Sequence, residues 1–270
     1  AVVGAGISLH ALGYFAPDPA AAPAAPRRQQ RYFWPVWLML WGALHALFLS
    51  SDLFNLYVTL ELLGFAAVSL VASSGAAPAL AAAMRYLVVS LLGSLLYLMG
   101  VALTYALTAT VDIELLGGRV TSGVPGLVAL ALMTAGLMLK AGLWPLHFWL
   151  PPAHSSAPAP VSALLSALVV KGPYFILVRL WLEAFAPVVT PAAANTVGVL
   201  GACAIVWGAL QALRQERLKQ LVAYSTVAQL GYLFLLFPLA QHQPTRPLAL
   251  TGALIFLAAH ACSKAAMFLS

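Results

Sequence analysis

Apolar runs of about twenty residues, long enough to cross a hydrocarbon layer, recur along nearly the whole chain and constrain it more than any other feature. A backbone inside hydrocarbon finds no water for its N–H and C=O groups, so only helices and closed barrels cross it. Barrel strands need strict apolar/polar alternation over roughly ten residues. The runs here do not alternate. Composition closes the soluble route as well: 63% of the 270 residues are hydrophobic and 7% are charged. Soluble domains hold roughly 45–50% and about 25% of those classes. The sequence therefore reads as an all-α polytopic membrane protein.

Breakers between the runs place spans at about 1–15 (partial), 32–50, 53–73, 85–109, 124–150, 158–184, 192–213, 219–238 and 248–270. That is nine transmembrane helices in a single membrane domain, 1–270. Both ends fall inside apolar runs, so the expectation is an internal piece of a longer subunit. The Pro/Ala-rich stretch 16–31 reads as a flexible loop between spans. Alternate loops differ in basic residues: one set holds Arg27, Arg28, Arg31, Arg85, Arg214, Arg217 and Lys219. The opposite set holds Arg119 and Arg246, with Arg179 at a helix end. The positive-inside rule puts the first set in the cytoplasm. The net charge of +6 thus reflects topology, not a nucleic-acid footprint. Cys203 and Cys262 lie in different runs without CxxC spacing, so no iron–sulfur or zinc site, and no cofactor, is expected.

Four ionisable residues lie deep in apolar runs: Glu61, Lys140, Lys171 and Lys264. Each costs roughly 2.5–3.5 kcal/mol at a helix centre, so each must face protein or water. They either form internal ion pairs that hold helices together or carry protons. Proline favours the second reading. Pro145 follows Lys140 closely and Pro173 follows Lys171–Gly172. A proline frees the carbonyl four residues back, here Ala141 and Val169. Broken helices at mid-membrane are tolerated where they line wet cavities. Burial favours neutral side chains and pairing favours charged ones, so a buried Glu–Lys set is a tunable relay. His260 and Lys264 are spaced i, i+4 on one helical face, a further step in such a chain. Water at the Val169 carbonyl would join Lys171 to Lys140. His45 reads more as packing than relay, and His147 and His154 flank Pro151–Pro152 without needing to share a face. Asp52 reads as a helix N-cap, and Tyr32, Phe33, Trp34 and Trp37 as an interfacial aromatic belt.

At these residues the chain resembles a known family. The run LMLKAGLWPLHFWLPPAHSSAPAPVSALLSALVVK (137–171) is similar to the broken seventh and following eighth helix of antiporter-like membrane subunits. These are the large subunits of multi-subunit sodium/proton antiporters, respiratory complex I and membrane-bound hydrogenases. SDLFNLYVTLELLG (51–64), LKQLVAYSTVAQLGYLF (218–234) and HACSKAAMFLS (260–270) agree, in the family's order.

The resemblance implies two inverted five-helix repeats, the first over 32–184 and an incomplete second over 192–270. It matches Glu61, Lys140 and Lys171 to the family's fifth-, seventh- and eighth-helix charges, and His260 and Lys264 to its eleventh-helix relay. The implied function is proton translocation in a sodium/proton antiporter, with other membrane subunits as partners and the bacterial inner membrane as the location. The DLFNLYV stretch leans towards the antiporter's D-type subunit. The alternatives are the equivalent pump subunit of an NADH-quinone oxidoreductase or a membrane hydrogenase, with no redox chemistry in this chain, and a purely structural subunit. Three departures stand out: Pro152 where relatives usually have Asp, the Gly172–Pro173 pair, and a twelfth-helix charge that would lie beyond Ser270.

Overall fold

The computed structural model describes residues 1–16, 28–242 and 244–270. The order is α1 (Val2–Tyr14), α2 (Arg28–Leu49), α3 (Leu53–Val71), α4 (Ala77–Thr108), the short α5 (Ile113–Arg119) and α6 (Val124–Ala141). Then come α7 (Leu150–Ser156), α8 (Ala159–Leu164), α9 (Lys171–Arg179), α10 (Pro191–Leu213), α11 (Leu218–Phe234), α12 (Leu236–Leu239) and α13 (Arg246–Leu269). A π-helical turn, Leu165–Val169, joins α8 to α9, and a second, Leu180–Ala184, extends α9, making one continuous span, Ala159–Ala184. Among the described residues, eight segments are long and apolar enough to cross a membrane, and α1 is the shorter, partial one. This is an integral multi-pass membrane protein.

Backbones approach most closely where side chains vanish. A Cβ on Gly136 would collide with the Gly93 carbonyl oxygen, so α4 and α6 touch backbone to backbone. Gly231 meets the Gly201 carbonyl in the same way, between α11 and α10. Lipid offers no hydrophobic drive between helices, so this close dispersion contact is what holds them together.

Asp52 caps α3 by accepting from the Asn55 amide at 2.8 Å, as its position suggested. Asp112 caps α5 in the same manner, and a two-residue antiparallel bridge joins the two caps. Leu53 donates to Val111 O and Ile113 to Ser51 O, each at 2.9 Å. The connection between α2 and α3 is thereby tied to the one between α4 and α5.

Several expectations need correcting. Residues 17–27, with Arg27, lie outside the described residues, but Arg28 and Arg31 belong to α2 and not to a loop. Arg85 sits inside α4, which starts at Ala77. Counted from its Ala77 end that helix is 32 residues long, about 48 Å at 1.5 Å per residue, more than a ~30 Å core requires. Arg85 stays exposed near that end. Phe33 and Trp37 are no interfacial belt: both are buried, and Trp37 donates its indole N–H to Ser8 Oγ at 2.9 Å. A buried indole needs an acceptor, and α1 supplies one. Only Tyr32 of that group is clearly exposed.

Candidate functional site

The break after Lys140 is made by glycine. α6 ends at Ala141, and Gly142 takes φ +73°, the left-handed conformation that L side chains avoid. The amides of Gly142 and Leu143 both return to Met138 O, at 3.0 and 3.1 Å, closing the helix end. Pro145 lies beyond this cap and does not end the helix. Trp149 then folds back and donates its indole N–H to Leu139 O at 2.9 Å, next to the lysine. Tyr86 stacks on that indole with ring centres 4.2 Å apart.

Lys140 is held inside by two neighbouring helices. Its Nζ donates to Glu61 Oε1 on α3 at 3.1 Å and to Ser90 Oγ on α4 at 3.0 Å. Ser94, one turn further along α4, donates to the same Glu61 oxygen. The side chains are 5% and 16% exposed, so this is a largely desolvated ion pair. Gly93 makes room for it: a Cβ there would lie 3.0 Å from the lysine's Cγ.

Lys171 sits at the second break. In the π-turn Leu165–Val169 the Val170 amide reaches back to Leu165 O at 3.3 Å. The extra residue takes carbonyls out of the ordinary i→i−4 ladder. The lysine ammonium donates to the Ser166 carbonyl, which takes the place expected of Val169. Val169 instead lines a cavity of about 10 Å³ together with Lys140, Ser90, Tyr86 and Pro173. That is room for about one water. Gly172 lets Leu63 of α3 and Leu47 of α2 close over the break, at 3.2 and 3.3 Å from where its Cβ would be.

Across the bundle, Lys171 Nζ lies 2.6 Å from His260 Nδ1 on α13. Lys264, one turn on, is fully buried and donates to Ser225 Oγ and towards Val222 O on α11. Ser166 and Thr226 share a hydrogen bond at 2.9 Å between the π-turn and α11. The five charged or titratable residues thus form two groups: Glu61 with Lys140, and Lys171 with His260 and, one turn on, Lys264. His45 belongs to neither; it is exposed, with Nδ1 against Trp41 O at 2.8 Å.

The hydroxyls are what sequence reading missed. Ser90 and Ser94 stand at i, i+4 in an apolar helix, the same spacing that singled out His260 and Lys264. Ser225 and Thr226 carry no such pattern; only the packing of α11 against α13 and the π-turn reveals them.

These features define a class: polytopic membrane proteins with ionisable side chains buried at helix breaks. The chain belongs to the family described as NADH:quinone oxidoreductase/Mrp antiporter, TM, which matches residues 50–270. It is 36% identical over 247 residues to the N subunit of an NADH-quinone oxidoreductase from Desulforudis audaxviator, covering 89% of this chain and 48% of that protein. It is 30% identical to the D-type subunit of the Na(+)/H(+) antiporter from Alkalihalophilus pseudofirmus, covering 90% and 48%. The chain spans about half the length of these relatives. Among solved structures, a chain of the archaeal membrane-bound sulfane sulfur reductase superposes with a TM-score of 0.85 at 28% identity, over 99% of this chain and 53% of that one. The Mrp complex of Dietzia sp. DQ12-45-1b gives 0.79 at 29% identity, over 87% and 43%.

Proposed function

We propose that this chain is the proton-translocating part of an antiporter-like subunit in a multi-subunit sodium/proton antiporter, seated in a bacterial inner membrane. The observation that carries it is the Glu61–Lys140 pair, desolvated at a helix break and 3.1 Å apart. Removing either partner of a buried pair costs about 3–5 kcal/mol, so its charge state is coupled strongly to its surroundings. Lys171, His260 and Lys264 form the continuation of the relay, and Val169 and Pro173 line the small cavity beside Lys140. Protons, with sodium as counter-cargo, are the cargo; other membrane subunits are the partners. Two inverted repeats, 32–184 and an incomplete 192–270, are the architecture that fits this reading.

A second reading is favoured by the 36% identity to the quinone oxidoreductase relative, against 30% for the antiporter relative. There the same relay serves a redox-driven pump. Purifying the native complex in mild detergent separates the two. Sodium/proton exchange by a complex without flavin or iron–sulfur partners supports the first reading, and co-purifying redox subunits overturn it. Orientation is testable in the same membranes. Cysteines at Ala24→Cys and Glu216→Cys, with Cys203 and Cys262 replaced, should react only from the cytoplasmic face. Labelling of position 24 from outside would refute the topology.

A further inference from the structure

His154 is the largest unanswered feature of the interior. It is fully buried on α7, and neither ring nitrogen has a hydrogen-bond partner among the described residues. Leaving such a group unpaired is costly, so an imidazole with two idle nitrogens calls for a reason. Its surroundings are specific. Phe268 of α13 stacks on the ring with centres 4.9 Å apart and planes 15° from parallel. Lys264 stands one turn before Phe268, on the same face of α13. On the other side, Lys219 reaches from the start of α11 to the Ala157 carbonyl, just after α7 ends. Ser162 fixes the local backbone by donating to His154 O at 2.9 Å. Burial first, and then the positive charges of Lys219, Lys264 and Lys171, favour the neutral ring.

Lys219 is half-buried beside the 214–217 turn, so it stands at the aqueous rim, while Lys264 belongs to the inner cluster. We propose that His154 passes protons between the face carrying Lys219 and the inner group at Lys264, with the Phe268 ring as its cover. This rests on the proton-translocating reading above. A neutral imidazole suits the task because one nitrogen takes up a proton while the other releases one, and turning the ring restores the first state. Lys219 acts as a positioning residue that holds the end of α7.

The test uses the whole complex in proteoliposomes, with assembly checked for every variant. His154→Phe keeps an aromatic ring against Phe268 but carries no proton; it should slow transport at least tenfold. His154→Ala should be equally slow, and 4-methylimidazole added on the Lys219 side should restore several-fold of the rate, because the small base occupies the space left by the ring. A packing role would not respond to a soluble base. Wild-type rates in assembled His154→Phe, or a His154→Ala defect that the base leaves unchanged, overturn the proposal. Lys140→Ala is run alongside: if it is inactive while His154→Phe is normal, only the His154 path fails, and if it is active the parent reading fails.

Discussion

The two buried groups solve one problem in opposite ways. Lys140 has a carboxylate as partner, and both are further held by serines of one helix. Lys171, His260 and Lys264 have no carboxylate beside them among the described residues, only carbonyls, hydroxyls and one another. An ion pair is neutral overall and can persist in a low dielectric. A cluster of bases cannot hold a proton on every member, since like charges repel strongly there. The first group can therefore keep both its charges, whereas the second cannot be protonated on every member at once.

The sharpest way to break this contrast is to remove the lysine that has a partner. Lys140→Ala leaves Glu61 buried without a cation, and Glu61→Gln does the converse. Each should abolish most transport and lower stability by about 3–5 kcal/mol. Both numbers need to be read on assembled complexes, by proton flux and by thermal melting. Near-normal flux in assembled Lys140→Ala would end the assignment.

Lys171→Ala should impair transport strongly with a smaller loss of stability, because no counter-ion is stranded. Lys171→His should keep part of the activity with a more acidic optimum, since imidazole is intrinsically a weaker base than the lysine amine. Flux measured from pH 6 to 9 decides it. An alanine variant that pumps normally throughout that range makes Lys171 structural.

Gly136→Ala tests whether the first group depends on backbone contact. The new methyl would collide with the Gly93 carbonyl, so α4 must withdraw, carrying Ser90 and Ser94 away from the pair. Overpacking of this kind costs about 1–3 kcal/mol, and we expect transport to fall with stability. Unchanged flux would show that the serines are dispensable. The mildest change is Thr226→Val, which removes the buried hydrogen bonds of its hydroxyl with Ser166 Oγ at 2.9 Å and, within α11, to Val222 O at 3.0 Å. It should cost about 1 kcal/mol in melting experiments and leave flux within about twofold. A large loss of transport would place Thr226 in the relay itself.

Much of this is legible in the sequence. Glu61, Lys140, Lys171 and Lys264 stand out because charge in an apolar run is expensive wherever it faces lipid. The spacing of His260 and Lys264 puts them on one face. Which proline or glycine actually breaks a helix is not legible there: Pro145 looks responsible near Lys140, but Gly142 ends α6 through its positive φ. The belt at Tyr32–Trp37 fails for a similar reason. An aromatic run in sequence does not say which rings find α1 to pack against.

The sequence by itself determined that the chain crosses a membrane, roughly where it does so, and which ionisable groups would lie inside. Those follow from the cost of exposing backbone and charge to hydrocarbon, which depends on the residues alone. Only the tertiary structure decided the partners: Glu61 for Lys140, His260 for Lys171, Ser225 for Lys264, and, among the described residues, none for His154. Side chains from distant segments meet only after helices choose their neighbours, and that choice is made by small residues such as Gly93 and Gly136, whose importance appears only when two backbones touch.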